Sequence, residues 1–148
     1  MVGDLANGRT VRSLAYLLTR YRGVDLTFVA PPQVAMGRDI KDHLDQCGVR
    51  WREVADLDRV LPEVDVVYQT RIQKERFASE EEYRQVRGTY LIGPAEVERM
   101  RPDAVLMHPL PRVDEIAPEV DGDPRAAYFR QARNGVQIRM ALLDMVLS

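Results

Sequence analysis

The sequence contains very little cysteine, histidine and lysine, and each shortage excludes a kind of site. Cys47 is the only cysteine among 148 residues, so an internal disulfide is impossible and a reducing, cytoplasmic compartment is expected. The histidines, His43 and His108, lie far apart in sequence, which argues against a metal site. Of the 21 basic side chains all but two are arginines, and the exceptions are Lys41 and Lys74.

Long apolar runs and an excess of positive charge are also missing. No apolar stretch approaches the roughly 20 residues that a membrane-spanning helix needs. The formal net charge is -2, so neither a nucleic acid nor an anionic membrane is an expected partner. Gly3 and Gly8 lack the spacing of a dinucleotide-binding loop or a P-loop. The first residues do not resemble a signal peptide.

Apolar segments with strand character alternate with amphipathic segments of helical period. This pattern predicts an α/β fold, a Rossmann-like open parallel sheet with helices on both faces. One predicted helix begins at Arg9, and three others cover 39–47, 57–61 and 94–100. The predicted strands cover 1–5, 25–30, 49–54, 64–68 and 104–107. In the helix over 39–47 we place Ile40, Leu44 and Cys47 on one buried side.

The last segment predicts one long C-terminal helix. Pro124 suits its first position and Asp123 its N-cap, and two apolar stripes continue across Asn134 and Gly135. The apolar surface is wider than a single domain needs, so we expect a partner domain to cover it.

Cationic residues follow the predicted strands and form the candidate site. Arg9 and Thr10 open the first helix, and Arg71 and Gln73 follow the strand over 64–68. Carboxyl ends of parallel strands are where ligands of open α/β sheets bind, and two arginine forks suit a small dicarboxylate. With so many arginines in the chain, chance surface charge is an equally open interpretation.

Two further loops accompany this pair. His108 is followed by a proline-bracketed turn that contains Leu110 and Pro111, whose carbonyls could accept from an amine, although a purely rigid turn is the favoured interpretation. His108 itself has the pattern of a hydrogen-bonded structural histidine. The polar segment 77–87 predicts a mobile loop with a short helix, of the kind that forms lids.

Four motifs resemble the C-terminal, aspartate-binding domain of aspartate carbamoyltransferases, with details most like the plant and cyanobacterial members. They occur in the order of that family and cover nearly the whole chain, residues 1–148, as residues 3–11, 68–77, 107–116 and 123–132. The resemblance implies transfer of the carbamoyl group of carbamoyl phosphate to the α-amine of L-aspartate, without a cofactor, in pyrimidine biosynthesis. It also implies a homotrimer for the complete enzyme, and a plastid location if the source is a plant.

The resemblance assigns a role to each matched residue. Arg9 would bind the α-carboxylate of aspartate, with Thr10 lining the same pocket. Arg71, helped by Gln73, would bind the β-carboxylate. In the remaining loop, the carbonyl of Leu110 and the turn at Pro111 would meet the carbamoyl group and the incoming amine.

The carbamoyl-phosphate domain of this family has no counterpart in the sequence, so the chain is expected to hold half a site and to be inactive alone. Two alternatives remain. One is an ornithine-type carbamoyltransferase, which the His-Pro-Leu-Pro sequence at residues 108–111 disfavours because that enzyme has a cysteine there. The other is a non-catalytic amino-acid-binding module, excised or engineered.

Overall fold

The computed structural model describes residues 1–74, 77 and 79–148. Its strands are β1 (Asp25–Val29), β2 (Arg50–Val54), β3 (Val66–Tyr68) and β4 (Val105–Met107). Its helices are α1 (Arg9–Leu18), α2 (Arg38–Gln46), α3 (Leu57–Val60), α4 (Glu80–Val86), α5 (Pro94–Arg99) and α6 (Tyr128–Leu147). Short 3-10 turns cover Pro32–Val34 and Pro118–Gly122.

The strands form one open parallel sheet that is held together at its centre by Val2. Strand β1 pairs with β2 and β3 pairs with β4, both in parallel. Val2 makes parallel bridges to Val29 on one side and to Gln69 on the other, and Ala126 bridges to Leu106 beyond β4. The spatial order is therefore β2, β1, Val2, β3, β4 and Ala126.

The strand predicted over 1–5 is shorter in the structure. Val2 donates to the Tyr68 carbonyl at 2.9 Å, whereas Gly3 already has a positive φ of 109° and turns the chain out of the sheet. Glycine tolerates this conformation because it has no Cβ.

Helices and turns cover both faces of the sheet, as predicted. On one face Leu5, Val11, Phe28 and Ile40 belong to a buried cluster under α1 and α2. On the other face a larger cluster is packed under α3, α5 and the start of α6; it includes Val29, Leu61, Val67, Ile92, Leu106, Ile116 and Tyr128. The inner strands β3 and β4 are apolar, as expected for a parallel sheet covered on both faces, whereas the edge strand β2 is mostly charged and partly exposed.

Two of the three residues predicted to form the buried side of α2 are buried in the structure. Ile40 and Leu44 are fully buried, whereas Cys47 is exposed. The prediction for Cys47 was wrong because this residue is the C-cap of α2, where the chain leaves the helix toward Gly48 at φ 67°.

Helix α6 is a single helix across Asn134 and Gly135, as predicted, but its predicted start at Pro124 with Asp123 as N-cap was wrong. The Leu106 amide donates to the Arg125 carbonyl and the Ala127 amide donates to the Leu106 carbonyl, both at 2.8 Å. Pro124 and Arg125 form a turn, and Ala126 pairs with Leu106 of β4, so the helix begins only at Tyr128.

Most of α6 extends away from the sheet. Tyr128 is buried, but the apolar side chains from Phe129 to Leu147 are largely exposed, with Leu147 at 81%. Despite this apolar content, no helix in the described part of the chain is long and apolar enough to cross a membrane.

Candidate functional site

The first element of the site is the turn that precedes α1. The Asp4 carboxylate accepts from the Asn7 amide at 2.9 Å and also binds the Asn7 side chain. Gly8 is the N-cap of α1, and a Cβ there would lie 2.5 Å from the Asp4 carbonyl oxygen. The turn is therefore fixed with Arg9 and Thr10 exposed in the first turn of α1, which contains no acidic residue. The positive end of the helix dipole is left for an anion.

The loop after β3 lies directly against this turn. The Thr70 hydroxyl donates to the Val2 carbonyl at 2.9 Å, and a Cβ on Gly3 would lie only 2.3 Å from the Thr70 carbonyl oxygen. Arg71 and Gln73 follow, and both are half-buried. The structure thus places the chain segments that carry Arg9 and Arg71 on neighbouring loops at the same edge of the sheet.

The hydroxyl of Tyr68 connects three elements at that edge. Tyr68 ends β3, and its hydroxyl lies near the side chains of Thr10 on α1 and Gln131 on α6. Burial raises the pKa of Tyr68, although the two neighbouring polar side chains partly oppose the increase. The side-chain Oε1 of Gln131 also accepts from the His108 backbone amide at 3.0 Å. Helix α6 therefore fixes the spacing between the loops after β3 and β4.

The loop after β4 is organised by His108. Its Nδ1 accepts from the Leu110 amide at 2.9 Å, and its Nε2 lies 2.8 Å from a Glu115 carboxylate oxygen. The short Nε2–carboxylate distance is an ion-pair contact, because the two atoms do not meet the geometry of a hydrogen bond; the other Glu115 oxygen accepts from the Val113 and Asp114 amides, both at 3.2 Å. Burial acts to raise the pKa of Glu115, but the neighbouring His108 and the backbone amide donors prevail, and the pKa is lowered.

This arrangement is consistent with the structural interpretation of His108, which is 2% exposed. The imidazole holds Leu110 in a left-handed conformation with φ 48°, and the peptide bond from Leu110 to Pro111 is cis. A non-glycine residue in this region is uncommon and needs such support. Leu110 is half-buried and Pro111 is exposed, so the turn that the sequence singles out faces solvent at the site edge.

Arg112, the cationic end of this loop, has a structural role. Its guanidinium binds both oxygens of Asp121 and the Tyr128 hydroxyl, and it lies 5.2 Å from the centroid of the Tyr128 ring. Burial and Asp121 raise the pKa of Tyr128 to about 12. This cluster anchors the start of α6 against the loop after β4.

The segment that is predicted to form a lid follows Gln73. Helix α4 lies within it, capped by Ser79, whose hydroxyl accepts from the Glu82 amide at 3.2 Å, and the Phe77 and Tyr83 rings have centroids 5.7 Å apart. Residues 75, 76 and 78, which belong to the predicted site loop and lid, lie outside the described residues. Mobility of this segment remains a prediction.

A large groove of the described structure lies away from this edge. It has a volume of about 710 Å³ and is lined by the amino-terminal ends of β1, β2 and β3 together with Met1. Ligands of open parallel sheets bind at the opposite, carboxyl ends of the strands. The candidate site is therefore an open edge between loops.

Sequence reasoning missed three residues that organise the site: Tyr68, Gln131 and Glu115. Tyr68 and Gln131 resemble ordinary strand and helix residues, and their side chains meet only after the sheet has formed. The available signal was that each lies inside a motif, 68–77, 123–132 or 107–116, that carries the family resemblance.

The fold and the site define an α/β ligand-binding domain whose cationic loops meet at one sheet edge. The family model for the aspartate/ornithine carbamoyltransferase Asp/Orn binding domain matches residues 1–146. The chain belongs to this family.

Relatives and solved structures agree with this assignment. The chain is 58% identical over 148 residues to aspartate carbamoyltransferase 1, chloroplastic, of Pisum sativum, covering 99% of the chain and 38% of that protein. The catalytic subunit of M. jannaschii aspartate transcarbamoylase matches with a TM-score of 0.88 and 44% identity over 96% of this chain and 47% of that chain.

A Trypanosoma cruzi aspartate transcarbamoylase in complex with aspartate and phosphate matches with a TM-score of 0.82 and 40% identity, over 96% of this chain and 44% of that one. This chain thus spans less than half the length of the relatives described here.

Proposed function

We propose that the chain is the aspartate-binding half of an aspartate carbamoyltransferase of pyrimidine biosynthesis. The observation that carries the proposal is the contact between the turn before α1 and the loop after β3, made by Gly3 and Thr70. It sets Arg9 and Arg71 on adjacent loops, as recognition of two carboxylates on one small molecule requires.

In the proposed complex, Arg9 and Thr10 bind the α-carboxylate of L-aspartate, and Arg71 with Gln73 binds the β-carboxylate. The paired arginine forks fix the amino acid in a single orientation. They direct its α-amine toward the loop after β4.

The reaction then requires the uncharged amine to attack the carbonyl carbon of carbamoyl phosphate. A C–N bond forms, the bond from this carbon to the phosphate oxygen breaks, and the amine loses a proton, which gives N-carbamoyl-L-aspartate and phosphate. The turn at Leu110 and Pro111 would contact the carbamoyl group, since the His108–Glu115 pair holds its backbone in place. Orientation of two substrates is the main contribution of such a site.

The remaining substrate, carbamoyl phosphate, would be bound by a second domain that is supplied elsewhere in the enzyme. The exposed apolar side chains of α6 are the surface that this domain would cover. We further propose that the complete enzyme is a homotrimer located in the cytoplasm, or in a plastid in a plant. By this account the chain alone binds aspartate weakly and does not turn over.

The proposal is tested in an enzyme that joins this chain to a carbamoyl-phosphate domain. Arg71→Ala removes the fork for the β-carboxylate, so kcat/KM for aspartate is expected to fall by at least about 100-fold, equivalent to roughly 3 kcal/mol. Arg71→Lys is expected to lose much of this activity as well, because a point charge does not replace a planar fork.

The matched control is Arg50→Ala. Arg50 is an exposed arginine that pairs with Asp25 at the amino-terminal ends of the strands, distant from the candidate site. Unchanged aspartate kinetics in the Arg71 variants, or an equal loss in the control, would contradict the assignment.

The second candidate function is a non-catalytic amino-acid-binding module. It predicts tight aspartate binding by the chain alone and no product in the joined enzyme. Calorimetric titration with aspartate, combined with a product assay, separates the two.

A further inference from the structure

The side-chain amide of Gln69 has one polar atom without a partner among the described residues. Gln69 directly follows β3 and is 1% exposed. Its Nε2 donates to the Tyr90 backbone carbonyl at 3.1 Å, whereas its Oε1 accepts no hydrogen bond from the described part of the chain. Exchanging the amide nitrogen and oxygen would not help, because Oε1 would then face the Tyr90 carbonyl, which is also an acceptor. A donor must therefore reach Oε1 from another source.

Gln69 lines a small cavity together with a second residue that has an unpartnered oxygen. The cavity has a volume of about 20 Å³ and lies between the end of β3, α4 and the loop after β4, where Glu115 lines it. One Glu115 oxygen accepts from the Val113 and Asp114 amides. The other, Oε1, lies 2.8 Å from His108 Nε2 but accepts no hydrogen bond from any described residue. Two residues with buried acceptor oxygens therefore border one cavity.

The size and the lining of the cavity suit a water molecule. A buried water needs about 10–15 Å³ of space and roughly two to four polar partners. The cavity has this space, and it is also lined by Thr70, Tyr83 and Arg87. A water has two O–H donors, which are what a carboxamide oxygen and a carboxylate oxygen require. Because a buried acceptor without a donor destabilises a fold, a water that satisfies both oxygens is strongly retained.

We propose that this cavity binds one ordered water molecule, which donates to Gln69 Oε1 and to Glu115 Oε1. The water connects the end of β3 to the loop after β4. Helix α4 covers it, since Tyr83 and Arg87 line the cavity from that side. Arg87 also pairs with Asp114 at 3.4 Å, which joins α4 to the loop after β4 at the surface. The hydration site thus lies at the base of the segment that is predicted to form a lid.

A monovalent cation is the alternative occupant, because the two acceptors are oxygens and one of them is anionic. The surrounding charges favour water instead. Arg87 lines the cavity, and the His108 ring already contacts the same Glu115 carboxylate. A neutral molecule avoids repulsion from the guanidinium at this short range.

The test combines a crystal structure of the 148-residue chain with water-selective NMR in solution. An ordered water should lie within about 3.2 Å of both Gln69 Oε1 and Glu115 Oε1. In the ¹⁵N-labelled chain, the side-chain amide of Gln69 and the backbone amide of Asp114 should show cross-peaks with a long-lived water. Gln69→Met should abolish the crystallographic water and the Asp114 cross-peak, because a thioether is a poor acceptor.

Tyr83→Phe is the matched control. It removes a hydroxyl proton that exchanges with solvent and could imitate a bound water, so the cross-peaks should persist in this variant. Cross-peaks that vanish in Tyr83→Phe, or that persist unchanged in Gln69→Met, would overturn the proposal.

Measurements on the unsubstituted chain decide the proposal even if Gln69→Met does not fold. A dry cavity in the crystal would overturn it. Anomalous scattering at the site after a soak in rubidium chloride would also overturn it, because it would identify a cation. Aspartate is absent from these experiments, so their result is independent of the proposed function.

Discussion

At the residue scale, contacts between backbone atoms control the candidate site as much as charged side chains do. Gly3 allows the turn before α1 to touch the Thr70 carbonyl, and that contact brings the two arginine-bearing loops together. Two features require glycine at this position: the positive φ of 109° and the absence of space for a Cβ.

Gly3→Ala should therefore destabilise the fold strongly. A Cβ 2.3 Å from the Thr70 carbonyl oxygen must displace backbone, so we expect a loss of about 3 kcal/mol or more in the free energy of unfolding. The matched control is Gly23→Ala, because Gly23 has φ 75° but no neighbouring heavy atom within 4 Å. Its cost should be only the conformational one, about 1 kcal/mol. Urea denaturation of both variants measures the difference, and equal losses would contradict the steric argument.

At the element scale, buried hydrogen bonds hold the loop after β4 in position. Glu115 Oε1 and His108 Nε2 lie 2.8 Å apart, and both side chains are almost fully buried. The lowered pKa of Glu115 means that the folded chain favours the carboxylate more than the unfolded chain does. Its contribution to stability is thus present above the unfolded pKa, near 4.5, and is lost as pH falls through the folded pKa.

Glu115→Gln should remove this contribution. We expect a loss of roughly 3 kcal/mol at neutral pH and a weaker dependence of stability on pH in the acidic range. Glu119→Gln, at an exposed position in the turn Pro118–Gly122, is the control and should change stability by less than about 0.5 kcal/mol. Chemical denaturation from pH 3 to pH 7, a range of about 4 pH units, measures both effects. An unaltered pH profile in Glu115→Gln would show that the pair does not act as described.

Helix α6 makes a separate prediction because most of its apolar side chains face solvent. We expect these exposed side chains to drive self-association of the chain alone. Leu143→Glu and Met145→Lys should reduce this association and change the stability of the chain by less than about 0.5 kcal/mol. In the complete enzyme the same changes should impair domain packing.

Sedimentation velocity over a range of concentrations measures the self-association, and urea denaturation measures the stability. Gln137→Glu, at a polar, exposed position of the same helix, is the control. A loss of several kcal/mol in the chain alone would show that this part of α6 packs against the rest of the chain.

At the scale of the whole molecule, the alternation of apolar and amphipathic segments was sufficient to predict the parallel sheet and its two helical layers. It was not sufficient where a local preference competes with pairing at a distance. Pro124 is a good helix-start signal, yet the chain turns there and its next residues bond to the backbone of Leu106 before the helix begins. The Tyr68–Gln131 contact was unpredictable for the same reason, since neither residue has a local signal for it.

The candidate site shows the same difference between features set by local sequence signals and features set by long-range contacts. The positions of Arg9 and Arg71 at carboxyl ends of strands could be predicted from periodicity, because parallel strands end at a common edge. The fixation of the loops by Gly3, Gln131 and Glu115 could not, because it depends on tertiary contacts between distant segments.

The buried amino terminus makes a prediction for the molecule as a whole. Burial lowers the pKa of the Met1 amine from 8.0 to about 5, so the unfolded chain binds more protons between these values. The stability of the 148-residue chain should therefore rise as pH increases from 5 to 8. Acetylation of the amine should flatten this rise. Thermal unfolding of the free and acetylated chains from pH 5 to pH 8 measures this increase in stability. If the increase remains after acetylation, another titratable group must cause it.

The central claim is that two distant arginines lie around one dicarboxylate amino acid, and chemical-shift mapping with L-aspartate tests it most directly. In the ¹⁵N-labelled chain, L-aspartate should shift the amides of Thr10 and Arg71 together, with one dissociation constant, and L-ornithine should not. Shifts confined to one loop, or an equal response to ornithine, would contradict the account.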